Sequence, residues 1–267
     1  MTTLPKDQVK AFQDKILTWW ENNGKTYPWR ETTDPYQIMV SEFMLQQTQT
    51  SRVIPKYIAF VQRFPNAGSL VLAGKAEVLR YWSGLGYNRR ALWLQEAAAT
   101  VVAMDEFPTD PKQLMKIKGI GFYTSRAIPI FAFNADLATV DTNIRRIFVA
   151  EGFSSENSSN KDLLLVANQL VPKGRSRIWH SALMDYGVEV LTARRTGVKP
   201  LTKQGTFKDS NRQYRGRVVK YLTQVPSASL GELVQKCEIP DKKATLVMDS
   251  LVRDGLVNRE GSVFKIP

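Results

Sequence analysis

Two glycines separated by one apolar residue, Gly119-Ile120-Gly121, stand between two segments with helical patterning and constrain this chain most. Glycine adopts backbone angles and tolerates close approaches that a side chain forbids, so such a pair permits a tight turn between helices. The turn directs free backbone N–H groups at the start of the next helix toward an anion such as phosphate. The pattern predicts a helix–hairpin–helix turn, although an ordinary helix–helix connection also uses such glycines.

A lone carboxylate, Asp141, follows this turn within the string Val140-Asp141-Thr142-Asn143. A carboxylate brought near a nucleic acid backbone is repelled by the phosphates, so its presence here indicates chemistry rather than binding. Aspartate is also a common N-cap residue at the start of a helix. The residues alone leave both roles open.

The chain of 267 residues has 37 Lys and Arg against 25 acidic residues, a net charge of +12. Such a balance favours a polyanionic partner. Because Cys237 is the single cysteine, an intramolecular disulfide and a cysteine-based metal cluster are excluded. No apolar run reaches the roughly 18 residues of a membrane span, and the N-terminus lacks a signal-peptide core. We therefore expect no membrane association and a cytoplasmic location, associated with the nucleoid if the source is prokaryotic.

Apolar residues recur at helical spacing through most of the chain before residue 200, and no segment there alternates as a strand does. This part predicts an all-α fold. The predicted helices cover residues 8–22, 36–47, 51–64, 69–73, 75–84, 88–104, 162–170 and 178–192.

The composition changes at Arg194, since nine Lys or Arg and one acid occur from there to Lys220. Helical patterns over 213–224, 230–236 and 240–253, followed by a β-hairpin pattern over 256–266, predict a small winged-helix domain. Lys242 and Lys243 begin its third helix, where recognition helices of this class meet DNA, although a protein-binding winged helix has the same pattern. The predicted domains are a core over 1–193, a basic linker over 194–210 and the winged helix over 211–267.

Several strings occur in a fixed order along the core and together resemble a known family. These strings are Tyr27-Pro28-Trp29-Arg30, Asp34-Pro35-Tyr36, Ser41-Glu42-Phe43-Met44-Leu45-Gln46-Gln47-Thr48-Gln49, Gly84-Leu85-Gly86-Tyr87, Lys118-Gly119-Ile120-Gly121-Phe122-Tyr123-Thr124 and Val140-Asp141-Thr142-Asn143. They resemble the helix–hairpin–helix DNA glycosylases of the endonuclease III superfamily, and within it the MutY-type adenine glycosylases. The resemblance runs from about residue 10 to residue 195. It implies an all-α, two-lobed core and a monofunctional glycosylase of base excision repair, which flips out and hydrolyses an adenine paired with guanine or 8-oxoguanine.

The same resemblance implies three catalytic residues. Asp141 would stabilise the oxocarbenium-like charge that builds on the sugar, or attack the sugar covalently. Glu42 would be the general acid that protonates N7 of adenine. Tyr123 would orient this pair, and it stands where bifunctional members carry the lysine that forms a Schiff base. We therefore expect simple hydrolysis without strong strand-cleaving activity.

The resemblance also implies contacts with double-stranded DNA that contains a mismatch or lesion, bound by a monomer. Gln47 and Tyr87 match the positions that the family inserts into the base stack. The other expected DNA contacts are Thr48 beside the orphaned base, Arg30 near the pocket mouth, and Lys118, Gly119, Gly121, Thr124 and Asn143 around the hairpin and Asp141.

The chain departs from the MutY-type pattern at its iron–sulfur loop. The four cysteines of the family, spaced C-x6-C-x2-C-x5-C, fall here on Leu191, Val198, Leu201 and Phe207. We expect no iron–sulfur cluster and a hydrophobic cluster of these four residues instead, with a degenerate loop as the alternative. No other cofactor is expected, except that the resemblance implies a monovalent cation at the hairpin, held by carbonyls such as those of Ile117 and Gly119.

A second departure is that a winged-helix pattern follows the linker, where MutY-type enzymes have a NUDIX-like domain that reads 8-oxoguanine. This difference leaves two alternatives. One is a glycosylase that removes thymine or uracil from G·T and G·U mismatches. The other is a non-catalytic DNA-binding protein, which the presence of both Glu42 and Asp141 disfavours, because a pure binder gains nothing from anions beside phosphates.

Overall fold

The computed structural model describes residues 3–199 and 205–267, and this part of the chain is mostly helical, with one small three-stranded sheet. The helices are α1 Lys6–Asn23, α2 Pro35–Leu45, α3 Thr50–Arg63, α4 Ala67–Val71, α5 Lys75–Trp82, α6 Arg89–Val102, α7 Pro111–Leu114, α8 Phe122–Phe133, α9 Thr142–Ala150, α10 Asn160–Leu170, α11 Ser176–Glu189, α12 Ala193–Thr196, α13 Asn211–Leu222, α14 Leu230–Lys236 and α15 Asp241–Arg253, with a 3-10 turn over Pro28–Arg30. The strands are β1 Ala228–Ser229, β2 Asn258–Glu260 and β3 Val263–Lys265.

Each helix predicted from apolar spacing is present, and the boundaries differ where the backbone turns. Helix α4 begins two residues earlier than predicted, because the Asn66 side chain accepts a hydrogen bond from the Ser69 N–H and caps the helix there. Helix α2 ends at Leu45 rather than at Gln47, whose φ of 55° lies in the left-handed region. Helix α5 ends at Trp82, before Gly84 with its φ of 100°.

The described residues fall into two compact units that do not follow the order of the chain. Unit 1 lies within Met1–Ile38, Pro108–Lys116 and Ile120–Lys203. Unit 2 lies within Met39–Phe107, Ile117–Gly119 and Gln204–Pro267, and so includes the C-terminal segment.

Unit 1 is built on helices α1, α9, α10 and α11, which share one apolar core. Phe12 packs edge-on against Trp179 at 5.6 Å between ring centroids. Ala138 and Ile144 are fully buried members of this core, and they lie on either side of Asp141 in the sequence. Since burial of one large apolar side chain contributes about 1.5–3 kcal/mol, the core fixes the start of α9 firmly.

Unit 2 contains a second aromatic core, in which Phe60 contacts both Phe64 and Trp82 edge-on. The indole Nε1 of Trp82 donates a hydrogen bond of 3.1 Å to the carbonyl of Gly86. This bond ties the loop between α5 and α6 to the core, and that loop carries Tyr87.

The C-terminal part of unit 2 packs helices α13, α14 and α15 with an antiparallel sheet of strand order β1-β3-β2. Phe264 on β3 pairs with Ala228 and with Arg259. Leu233, Val247 and Phe264 are buried there. No helix in the two described ranges is both long and apolar enough to cross a membrane.

Of the four positions that correspond to the cluster cysteines, the three that the structure describes do not form the expected hydrophobic cluster. Val198 is buried, and Leu191 packs partly buried against the core of unit 1. Phe207 is 61% exposed, so its ring contributes little to any core. Leu201 lies outside the described residues. The first two positions therefore keep an apolar packing role and the last does not.

Candidate active site

Asp141 is the N-cap residue of α9, in unit 1. One carboxylate oxygen accepts a hydrogen bond of 2.7 Å from the Ile144 N–H, and the other accepts one of 3.0 Å from the Asn143 side-chain amide. The carboxylate thus lies at the positive end of a helix dipole, which stabilises its charge. The capping role left open by the sequence is real, and it fixes the direction of the carboxylate without excluding chemistry.

The environment of Asp141 raises the pKa of its carboxyl above the usual value. Desolvation by burial is the largest cause, and it outweighs the hydrogen bonds from Ile144 and Asn143 and the nearby Arg146 guanidinium, all of which lower the pKa. A carboxylate that is poorly solvated gains more from an adjacent cation than one in water. The site is therefore suited to stabilising positive charge that develops beside it.

Asn143 and Arg146 form a chain of hydrogen bonds that supports the Asp141 carboxylate. The Asn143 amide oxygen accepts a hydrogen bond of 2.8 Å from Arg146 Nη2, while its nitrogen donates to Asp141. Arg146 Nη2 also donates to the Gly187 carbonyl at 2.6 Å, and Nε donates to the Leu191 carbonyl at 2.5 Å. This chain of bonds links the carboxylate to the end of α11.

The loop that precedes Asp141 is held by α11. His180 Nε2 accepts a hydrogen bond of 3.1 Å from the Thr139 N–H, while its Nδ1 faces the Ser176 carbonyl at 2.7 Å. Ser176 Oγ donates to the Leu137 carbonyl at 2.8 Å. Burial lowers the pKa of His180 to about 4, so the ring is neutral near pH 7 and serves as one acceptor and one donor.

The two other candidate catalytic residues, Tyr123 and Glu42, lie in different units. Tyr123 lies half-buried in the first turn of α8, in unit 1. Glu42 lies on α2, in unit 2, and is only 7% exposed. The enclosed position of Glu42 keeps its carboxyl away from bulk solvent.

The two hairpin glycines differ in whether the structure has room for a side chain at their positions. Gly119 has a φ of 85°, and a Cβ there would lie 2.8 Å from the Phe43 ring and 2.9 Å from Trp93 Cβ, so a side chain does not fit. Gly121 has an extended backbone, and a Cβ there would face open space. The first glycine is required by the fold, whereas the second leaves room for something outside the chain at the N-terminus of α8.

Gln47 and Tyr87 share an unusual backbone conformation in unit 2. Their φ angles are 55° and 48°, in the left-handed region that side chains rarely adopt. Such positions cost about 1–3 kcal/mol each and persist only where the surroundings enforce them. Both side chains are exposed. The strained backbone therefore presents an amide and an aromatic ring to the solvent from two neighbouring loops.

Arg90 enforces both conformations. Its Nη1 donates to the carbonyls of Phe43, Met44 and Gln46, at 2.6, 3.1 and 2.6 Å. Its Nη2 donates to Thr48 Oγ1 and to the carbonyls of Leu85 and Gly86, at 3.0, 3.3 and 3.1 Å. The side chain is 5% exposed, and burial lowers its pKa to about 10, so it remains charged at neutral pH.

The sequence pattern of the HhH-GPD superfamily of base excision DNA repair proteins matches residues 40–173, which contain the hairpin, Glu42 and Asp141. The chain belongs to this superfamily. A mycobacterial relative, adenine DNA glycosylase of Mycolicibacterium smegmatis, is 37% identical over 92% of each chain. Adenine DNA glycosylase of Mycobacterium tuberculosis (strain ATCC 25618 / H37Rv) is 33% identical over 91% of this chain and 89% of its own. The human adenine DNA glycosylase is 33% identical over 70% of this chain but only 37% of its own.

Two solved structures are similar to this chain in fold. A thermostable thymine-DNA glycosylase superposes with a TM-score of 0.65 at 29% identity, covering 73% of this chain and 90% of its own. An endonuclease III trapped as a covalent intermediate with DNA superposes with a TM-score of 0.61 at 19% identity, covering 68% and 86%. The architecture is therefore that of a DNA glycosylase.

Two side chains expected at the DNA of an HhH-GPD enzyme have structural roles here. Arg30 forms a bidentate ion pair with Asp185, with N–O distances of 2.7 and 2.9 Å. The Asp185 carboxylate also accepts hydrogen bonds from the Lys25 N–H and the Trp20 indole. This pair anchors the Pro28–Arg30 turn to α11 rather than facing solvent. Thr124 is 3% exposed, so only its backbone N–H can serve a phosphate.

Three other residues predicted to contact DNA form hydrogen bonds or ion pairs within the chain. Lys118 is exposed and pairs with Glu96 at 2.7 Å. Thr48 Oγ1 bonds Arg90 and lies 3.3 Å from the Leu85 carbonyl, so its hydroxyl belongs to the loop network. Asn143 supports Asp141, as described above. Sequence reasoning missed Arg90 and Arg146, because a buried arginine looks the same in a sequence as an exposed one such as Arg89.

Proposed function

We propose that this chain is an adenine DNA glycosylase of base excision repair. The observation that carries the proposal is the Asp141 carboxylate, held by α9 in a desolvated setting within an HhH-GPD fold. Similarity to adenine glycosylases along nine-tenths of the chain supports adenine as the base removed.

The proposed reaction divides the work between two carboxyl groups. The buried Glu42 donates a proton to N7 of the flipped adenine, which makes the base a better leaving group. As the N-glycosidic bond breaks, positive charge on the sugar is stabilised by Asp141. Tyr123 orients these groups, and water completes hydrolysis. No lysine at that position forms a Schiff base, so strand cleavage is weak.

The substrate in this proposal is double-stranded DNA with adenine opposite guanine or 8-oxoguanine, bound by a monomeric protein in the cytoplasm or nucleoid. Gln47 and Tyr87 fill the gap left by the flipped nucleotide. The winged-helix assignment of residues 211–267, after a core over 1–193 and a linker over 194–210, is part of the proposal. The order of three helices and the antiparallel sheet supports it.

The iron–sulfur cluster common in MutY-type enzymes does not fit the residues present. The single cysteine, Cys237, is buried, and burial raises the pKa of its thiol to about 11, which disfavours the thiolate that metals bind. The described residues hold no group of three or more His, Cys, Asp or Glu placed to bind a metal. No step of the proposed reaction uses a cluster, and a monovalent cation at the Ile117 and Gly119 carbonyls remains a proposal.

A second candidate is removal of thymine or uracil opposite guanine. The thymine-DNA glycosylase structure, at 29% identity over 73% of this chain, favours it as an alternative. Glu42, Tyr123 and Asp141 alone do not separate the two reactions.

Single-turnover base release separates the candidates directly. The duplex panel contains adenine opposite guanine, 8-oxoguanine and cytosine, then thymine and uracil opposite guanine, with Asp141→Asn and Glu42→Gln in parallel. We expect adenine release that both variants abolish. Release of thymine or uracil alone would assign the second function, and DNA binding without any base release would contradict enzymatic activity.

A further inference from the structure

A cavity of about 460 Å³ lies in unit 2 between the Gln47 and Tyr87 loops and the C-terminal helices. Its volume is in the range of sites that hold one small ligand. Gln47 and Tyr87 form one wall, and α13 contributes the facing wall with Asn211, Arg212 and Arg215. The C-terminal domain therefore completes a cavity that the glycosylase core begins.

Arg212 connects the two walls. Its Nη1 donates a hydrogen bond of 2.6 Å to the Tyr87 hydroxyl, and its Nη2 donates to the Gly205 carbonyl at 2.8 Å. Its guanidinium also lies 5.6 Å from the centre of the Tyr87 ring. A guanidinium of the C-terminal domain thus sits beside the ring that the proposed function inserts into the base stack.

The cavity combines aromatic surface with hydrogen-bonding groups. Trp93 lines it beside Tyr87, and the buried Trp93 Nε1 makes no hydrogen bond within the described residues. Gln46 adds an amide, and Leu251 adds apolar surface. Aromatic faces stack on bases, while amides and guanidinium groups bond base edges. This lining suits a nucleobase better than a phosphate alone.

Gly216 leaves part of the α13 wall of the cavity without a side chain. It lies inside α13, where glycine costs about 1 kcal/mol relative to alanine. It lines the cavity, and a Cβ there would meet nothing within 4 Å. Neither its backbone angles nor the packing of the chain requires glycine. The space left by the missing side chain is open to a ligand.

We propose that this cavity receives the base opposite the excised adenine, and that Arg212 reads that base. The inference rests on the proposed function. Guanine presents the acceptors O6 and N7 to a guanidinium, and 8-oxoguanine keeps O6 and adds a carbonyl oxygen at C8. Cytosine presents an amino donor on the corresponding edge, which a guanidinium does not accept. Arg212 therefore favours adenine excision opposite a purine that carries carbonyl oxygen.

The test measures single-turnover adenine release opposite 8-oxoguanine, guanine, cytosine and an abasic site. In Arg212→Gln, the ratio of the rate opposite 8-oxoguanine to the rate opposite cytosine should fall about tenfold or more. The rate opposite an abasic site should change little, because no base is present to read. Lys220→Gln removes a charge from an exposed position of the same helix and is the matched control.

Gly216→Ala provides a variant that does not disturb the fold. Alanine should raise the free energy of unfolding, since it favours the helix, yet lower the same rate ratio by filling the cavity. Gly231→Ala, at an equally open helical glycine outside the cavity, should stabilise the protein without changing the ratio.

Three results would overturn the inference. An unchanged ratio in both variants would exclude opposite-base reading by this cavity while leaving the proposed function intact. An equal loss opposite the abasic site would mean that Arg212 acts only through Tyr87 or the DNA backbone. Absence of adenine release from every duplex by the unaltered protein would overturn the proposed function and this inference together.

Discussion

The surroundings of Asp141 and the loops of Gln47 and Tyr87 are held by opposite means. Asp141 sits on regular structure, because the first turn of α9 supplies its hydrogen bonds and the core of unit 1 lies behind it. Gln47 and Tyr87 lie outside any helix, on left-handed backbone, and their loops depend on Arg90. Under the proposed function, the catalytic charge is fixed in direction at low strain, whereas the two residues proposed to enter DNA are presented by a strained backbone.

Asp141→Asn tests the residue held by regular helical structure, and it should have the largest effect on adenine release. Adenine release should fall about 10³-fold, since the anion that stabilises the sugar cation is lost. The free energy of unfolding should change by less than about 1 kcal/mol, because asparagine is also a good N-cap. Single-turnover kinetics and urea unfolding measure the two quantities. Asp110→Asn, at the N-cap of α7, is the matched control and should leave the rate unchanged.

Arg90→Gln tests the strained loops of Gln47 and Tyr87. Removal of the guanidinium leaves several loop carbonyls without their donor, so the free energy of unfolding should fall by about 3–4 kcal/mol. Urea unfolding measures this loss. Arg63→Gln breaks an exposed pair with Glu77 and should cost less than about 1 kcal/mol. Equal losses in the two variants would contradict the central role of Arg90.

Acidification should weaken the support of the loop before Asp141 and leave the Arg90 hydrogen bonds unchanged, because only that loop is held by a histidine. His180 binds a proton below about pH 4 in the folded protein and below about 6.5 when unfolded. Between these values the unfolded state holds more protons, so the stabilising contribution is complete above pH 6.5 and is lost as the pH falls toward 4. The loss reaches about 3 kcal/mol. Arg90 stays charged throughout this range.

Urea unfolding at a series of pH values measures this dependence. In His180→Gln the free energy of unfolding should vary less between pH 6.5 and 4 than in the unaltered protein. Identical slopes in the two proteins would refute the assignment of a neutral, buried His180.

Asn143→Ala should have the smallest effect, a loss of about tenfold in adenine release, as expected for one hydrogen bond to a charged group. Loss of the donor should raise the pKa of Asp141 further, so the acidic limb of the pH–rate profile should move to higher pH. The exposed Asn157→Ala is the control. A profile that keeps its position would show that Asn143 serves only the packing of α9.

Much of the fold is predictable from local signals. Apolar spacing located the helices, and Gly119 marked the hairpin because a side chain there would collide with Phe43. The two-residue strand β1 is too short to show alternation, and it exists only because β3 pairs with it. The expected role of Phe207 in a core was wrong, since apolar character does not determine which way a loop residue faces.

The chemical groups of the candidate site were predictable from the sequence, but the residues that hold those groups in place were not. Asp141 and Glu42 stand in recognisable strings, and the burial of Glu42 follows from the apolar residues around it. Arg30 was expected at the DNA, yet its planar guanidinium matches the two oxygens of Asp185, which is distant in sequence. The roles of Arg90 and Arg146 depend on backbone carbonyls, which every residue carries and which no sequence pattern distinguishes.

The bond from Arg146 to the Leu191 carbonyl has a consequence for how this region tolerates mutation. The acceptor is a main-chain atom, so it is present whatever side chain occupies position 191. Neutral drift at that position can proceed without disturbing the support of Asp141, as long as the chain keeps its course after α11. Position 146 has no such freedom, because the donor is a side chain. Natural variation at 191 should therefore be limited by packing against the core of unit 1 and not by the support of Asp141, whereas variation at 146 should be narrow.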